Sequence, residues 1–219
     1  MAVPIPEELS LRQAALAEPL GVSLRGVRQA DIDTGDRVAV FGAGPIGLGV
    51  VAGAAAAGAG KIYVSEPRSA RRKAAAALGA DVLIDPVDQY PVEYIRENAD
   101  RADAVFECAG LERTLTDALR STAYGGRTVV LSVFDDDVSI HPSDVVQTER
   151  ELVGSFAFRG GPLARRSEFS AAMDLMADGR IETDPLITDT VSLDGIEAAF
   201  DSLLDPESEQ IKVMVDPTE

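Results

Sequence analysis

Three glycines, Gly42, Gly44 and Gly47, stand in the spacing G-x-G-x-x-G directly after a short apolar run, Arg37–Phe41. The chemistry this spacing serves is diphosphate binding. Gly42 permits a tight turn, Gly44 lets backbone approach a diphosphate with no Cβ between them, and Gly47 lets a helix pack closely on its strand. Pro45 and Ile46 open a helical run to Ala57, whose free first-turn amides and dipole favour phosphate. Glu66 follows 19 positions after Gly47, at the end of a second apolar run. A carboxylate there accepts hydrogen bonds from ribose hydroxyls and repels a 2′-phosphate. Strand, glycine turn, helix and acid together predict a dinucleotide-binding βαβ unit that prefers NAD to NADP. Arg68, Arg71 and Arg72 complicate that preference, since a guanidinium accommodates the phosphate; Arg68 and Arg72 read as solvated helix charges.

Other reactive side chains are few. Cys108, in Glu107-Cys108-Ala109-Gly110, follows a fourth apolar run. A nucleophilic thiol needs a base or an electropositive neighbour, and neither is evident, so a small buried residue beside a cofactor is expected. His141 precedes a proline in a polar loop and reads as a surface residue. Asp135-Asp136-Asp137 reads as a solvated turn. With Cys108 and His141 the only cysteine and histidine, the sequence holds no Cys/His zinc site and no intrachain disulfide.

Alternating apolar runs must position these groups. Strands are expected at Arg37–Phe41, Lys61–Ser65, Val82–Ile84, Ala104–Glu107, Arg127–Val133 and Leu152–Phe156. Helices are expected at Pro45–Ala57, Ser69–Leu78, Tyr90–Asn98 and Leu111–Ser121, with Gly125-Gly126 as a turn. The pattern predicts an α/β fold, a doubly wound Rossmann sheet of parallel strands in the order 3-2-1-4-5-6. Residues 1–30 read as two short helices broken at Glu18-Pro19, and 31–160 as the nucleotide-binding domain. Residues 161–219 read as helix (Leu163–Ala177), strand (Leu186–Val191), helix (Asp194–Leu204) and strand (Ile211–Val215), a partial second layer.

Bulk properties narrow the function. The chain has 219 residues, 46% of them hydrophobic, which suffices for a buried core. Asp and Glu total 37 against 20 Lys and Arg, a net charge of −17 that excludes nucleic acid and anionic membrane as partners. An acidic, lysine-poor surface of this kind suits a halophilic organism. No apolar run reaches the length of a membrane span and no signal peptide is evident, so the cytoplasm is the expected location.

The motifs A-A-L-A-E-P-L at 14–20, G-D-R-V-A-V-F-G-A-G-P-I-G-L at 35–48 and V-S-E-P at 64–67 occur in one order. A-L-G-A-D at 77–81, F-E-C-A-G at 106–110, E-L-V-G-S at 151–155, P-L-I-T at 185–188 and I-K-V-M-V at 211–215 follow them. In this the chain resembles the medium-chain zinc-dependent alcohol and polyol dehydrogenases, most of all their butanediol and sorbitol dehydrogenase branch. The resemblance covers their coenzyme-binding and C-terminal part. It implies that Arg71 lies over the adenine or ribose and that Cys108, Ala109 and Gly110 line the adenosine side. Leu131, Ser132, Val133, Ser155 and Phe156 would then hold the nicotinamide carboxamide, and Lys212 would reach the pyrophosphate. Glu18 matches a glutamate near the catalytic zinc, whereas Arg25 departs from the histidine that related proteins often carry.

In that family a first domain of well over a hundred residues supplies the zinc ligands, and the chain is expected to begin beyond it. The resemblance therefore implies an NAD-binding portion without turnover of its own, and a homodimer through the edge strand at 152–158. Two readings stay open beside it. One is a non-catalytic NAD-binding, sensing or assembly module; the other is a zinc-independent quinone or enoyl reductase relative. A short-chain dehydrogenase is disfavoured, because no tyrosine has a lysine four positions on.

Overall fold

The structure is a computed structural model that describes residues 3–157, 167–205 and 207–218. Helices α1 (Leu11–Ala14) and α2 (Ala17–Ala30) precede β1 (Arg37–Phe41), α3 (Pro45–Ala57), β2 (Lys61–Ser65), α4 (Ser69–Ala77) and β3 (Val82–Ile84). Next come α5 (Pro91–Ala99), β4 (Ala102–Glu107), α6 (Glu112–Ser121), β5 (Thr122–Val130), α7 (Ser143–Val146) and β6 (Glu151–Gly154). The C-terminal segment contributes α8 (Glu168–Ala177), β7 (Asp189–Val191), α9 (Ile196–Leu204) and β8 (Val213–Val215).

The six central strands form one parallel sheet in the order β3-β2-β1-β4-β5-β6, as the sequence predicts. The strands read as continuous apolar runs because both faces of the sheet are covered. Val38, Val40, Ile62, Val64 and Phe106 point into a core shared with α2, α3, α4 and α8. Their neighbours Ala39, Phe41, Tyr63 and Val105 point the other way, toward α5 and α6. Glycines let α2 lie close on α3: a Cβ on Gly49 would meet Ser23 Oγ at 2.4 Å. The Ser23 hydroxyl in turn reaches Ile46 O at 2.9 Å, fastening α2 to the first turn of α3.

Several boundaries differ from the sequence reading. The N-terminal break falls at Ala15-Leu16, and Glu18-Pro19 lies inside the first turn of α2. Proline is tolerated there because the N–H it lacks has no intrahelical acceptor. Gly125-Gly126 is not a turn between helix and strand but an irregularity within β5, where Ala102 pairs Thr122 while Ala104 pairs Arg127. The strand therefore starts at Thr122 and ends at Val130, short of the expected Val133. β6 likewise stops at Gly154 rather than Phe156. The expected helix start at Leu163 and the end of the edge segment at 158 lie outside the described residues. β7 and β8 pair with each other in a separate two-stranded parallel sheet. Among the described residues no helix is long and apolar enough to cross a membrane.

Candidate coenzyme site

The sheet changes direction of growth between β1 and β4, and the crevice beyond such a point is where ligands enter open α/β sheets. Two turns meet there, one after each strand. Gly42 adopts φ +93, open to glycine and strained for other residues, and a Cβ on it would meet Ala109 N at 3.0 Å. Gly47 packs on the same turn: a Cβ there would lie 1.9 Å from Gly42 O. Gly44 is different. Its φ of −69 suits any residue, and the nearest atom to an added Cβ is Arg71 Nη1 at 3.9 Å. Nothing in the protein therefore requires glycine at 44, which leaves the approach to its backbone open. Gly44 is also the N-cap of α3, with no side chain to cap the helix and Pro45 at its first position. The first-turn amides that follow have no intrahelical partner.

Two buried carboxylates hold the turns. Glu66, 4% exposed, accepts Ala43 N on Oε2 at 2.8 Å and Arg68 N on Oε1 at 3.0 Å. It thus ties the end of β2 to the glycine turn. Glu107, fully buried at the end of β4, accepts Ala109 N, Gly110 N and Thr114 Oγ1 on Oε1 at 2.7 to 2.9 Å. Sequence reasoning passed over Glu107 as a site-shaping residue. Its signal was an acid closing the apolar run Ala104–Phe106, where only a satisfied carboxylate can be buried. Burial and the Glu107 charge push the Cys108 thiol well above its ordinary pKa, so Cys108 is a poor nucleophile, as expected.

A cleft of about 340 Å³ opens beside these turns, lined among others by Gly44, Glu66, Arg68, Arg71, Cys108 and Arg113. A second groove, of about 290 Å³, continues past Cys108 and Ala109 and is lined by Ile46, Gly110, Leu131, Ser132 and Val133. The structure thus gathers the glycine turn, Glu66, Arg71, Cys108–Gly110 and Leu131–Val133 around one crevice. Glu18 is exposed on α2, Phe156 is 76% exposed, and Ser155 is buried with its N–H on Val130 O; none of the three lines either groove. Lys212 also lines neither, and its carbonyl accepts Thr188 N and Oγ1.

The three arginines after Glu66 do not behave alike. Arg72 is no solvated charge: it donates to the carbonyls of Glu66 and Pro67 and pairs with Asp85 at 2.8 Å. Arg68 and Arg71 face the cleft, and Arg68 Nη1 and Arg71 Nε are buried with no hydrogen-bond partner. Burial lowers the Arg71 pKa, and the Glu66 charge opposes that shift.

An open backbone at Gly44 and unpartnered donors in the adjoining cleft fit an anionic dinucleotide. Zinc is another matter: among the described residues no group of three or more His, Cys, Asp or Glu side chains could hold a metal ion.

Comparison with known proteins agrees with this geometry. The family model described as zinc-binding dehydrogenase matches residues 45–178, and the chain belongs to that family. Among its relatives, (R,R)-butanediol dehydrogenase of Bacillus subtilis (strain 168) is 38% identical, over 97% of this chain and 60% of the relative. Sorbitol dehydrogenase of the same organism is 30% identical, over 97% of the chain and 59% of the relative. A crystal structure of 2R,3R-butanediol dehydrogenase from Bacillus subtilis matches with a TM-score of 0.86, at 38% identity, covering 97% of this chain and 60% of that one. A protein described as a zinc-binding dehydrogenase from Sinorhizobium meliloti 1021, bound to NADP, matches with a TM-score of 0.87 at 34% identity. That match covers 99% of this chain and 63% of the other. The chain thus spans about 60% of the length of the first of these relatives.

Proposed function

We propose that this chain binds NAD along the two grooves and forms the coenzyme-binding portion of an NAD-dependent alcohol or polyol dehydrogenase of the butanediol or sorbitol type. The observation that carries the reading is the unobstructed backbone at Gly44, beside a turn fastened by Glu66. The amides opening α3 receive the diphosphate, and the helix dipole favours its charge. Lone pairs left on the Glu66 carboxylate accept the adenosine ribose hydroxyls. The groove past Cys108 takes the nicotinamide ribose, and the backbone at Leu131–Val133 orients the ring. The relatives' names support an alcohol or polyol as the hydride donor. Zinc, where such enzymes hold it, supplies Lewis-acid activation of the alcohol; no residue described here is assigned to that task.

A second reading, a coenzyme-binding module without turnover of its own, draws on the nicotinamide groove. Cys108 is its only ionisable lining side chain, and that thiol stays protonated. The purified chain, assayed for metal content and for NADH formation from 2,3-butanediol and sorbitol, separates the two. Bound NADH without turnover supports the module; turnover supports the enzyme; loss of both contradicts either.

The reading includes a homodimer through β6. This edge strand pairs only with β5 and leaves Leu152 40% exposed, an open edge that a second copy would cover. Light scattering that finds monomers alone rejects it.

A further inference from the structure

We propose that the coenzyme site contains a 2′-phosphate subsite formed by Arg68 and Arg71, so that the chain takes NADP(H) as well as NAD(H). The inference rests on the coenzyme reading above and adds the class of nucleotide that the site accepts.

An acid after the second strand ordinarily disfavours a 2′-phosphate by charge repulsion. The surroundings of Glu66 weaken that discrimination. The carboxylate is buried, and each oxygen already accepts a backbone amide, Ala43 N and Arg68 N. Its charge faces two cations in the same cleft. Arg71 senses Glu66 and Arg68 electrostatically, while Arg72 is committed to Asp85 and to two carbonyls. Arg68 and Arg71 are not so committed: Arg68 Nη1 and Arg71 Nε are buried donors without partners.

A buried, unpaired donor on a charged group is unfavourable, and a ligand that supplies its acceptor relieves that cost. A phosphate monoester carries a charge of about −1.5 to −2 and three strong acceptor oxygens. Two guanidiniums suit it better than either would alone. Arg113 lines the same cleft, and its contact with Asp117 is loose, at 3.6 Å. The arrangement serves both coenzymes. A free 2′-hydroxyl donates to Glu66, whereas a 2′-phosphate turns to the guanidiniums. In a chain of net charge −17 this concentration of cations around one cleft is local and specific.

The test is calorimetric titration with NADH and NADPH in one buffer, repeated on Arg68→Ala and Arg71→Ala. The expected dissociation constants of the two coenzymes lie within about tenfold of each other. Each variant is expected to weaken NADPH at least about fivefold more than NADH, as loss of a charge-assisted contact to phosphate requires. NADH binding by the same variants reports that the fold persists. NADPH binding more than about tenfold weaker than NADH, or a selective loss below that size in the variants, overturns the subsite and leaves the coenzyme reading intact. Failure of both coenzymes to bind the unmodified chain overturns the coenzyme reading, and the subsite with it.

Discussion

The Glu66 carboxylate accepts the backbone N–H of Ala43 at 2.8 Å, which joins the end of β2 to the middle of the glycine turn after β1. The acid that faces the ribose in the proposed complex is therefore also a structural clamp. Its second oxygen holds Arg68 N at the start of α4.

Glu66→Ala leaves both amides without their acceptor in a buried setting, at a cost of about 1–3 kcal/mol. Glu66→Gln keeps one acceptor oxygen and costs less. Urea unfolding of the three proteins checks the order; equal midpoints would show that the clamp does not contribute.

Gly44→Ala and Gly47→Ala separate ligand space from protein space. A methyl at Gly47 collides with Gly42 O, so that variant loses about 3 kcal/mol or fails to fold. A methyl at Gly44 meets no protein atom closer than 3.9 Å. That variant loses under about 1 kcal/mol, the scale of an N-cap change. Thermal melts read both, and equal losses would contradict the assignment of open space to Gly44.

Acid sensitivity follows from Arg37 and Asp103, which meet through Nε and Nη2 at 3.0 Å. The pairing holds the Asp103 carboxyl below its usual value. Stability from a depressed carboxylate is present above the unfolded pKa, about 3.9, and is lost as pH falls through the lower folded value. The Asp103 side chain keeps 34% of its exposure, so solvent screening limits the contribution to about 1 kcal/mol. Asp103→Asn is expected to be less stable at neutral pH and to converge with the parent in acid. Denaturation across that range checks it, and a gap that widens in acid would contradict the sign.

Much of this was legible in the sequence because local chemistry and global fold agree there. β1, α3 and β2 fall where the apolar runs, Gly44-Pro45 and Gly58 place them. Pro19 misled the reading of the N-terminus, because a proline in a helix's first turn looks in sequence like a break. Gly125-Gly126 misled similarly, since a strand irregularity and a turn use the same residue type. Arg68, Arg71 and Arg72 are alike in sequence, and their division into one committed side chain and two free ones depends on Asp85, which tertiary packing brings in. Glu107 illustrates the same limit: its partners are local, but its role depends on full burial.

The acidic surface predicts a salt response. A net charge of −17 destabilises the compact state by self-repulsion, which molar salt screens to within about 3 Å. The melting temperature should rise from dilute buffer to molar KCl. A melting temperature that does not change would remove the salt-adapted reading of this surface.

The most direct test of the coenzyme site is calorimetry of the unmodified chain and of Gly44→Ala with NADH in concentrated KCl. The expected result is saturable, single-site binding that weakens by at least about tenfold in the variant, because the new methyl stands where the diphosphate must approach. No saturable heat from the unmodified chain, or equal affinity in the two proteins, would contradict diphosphate binding at this turn.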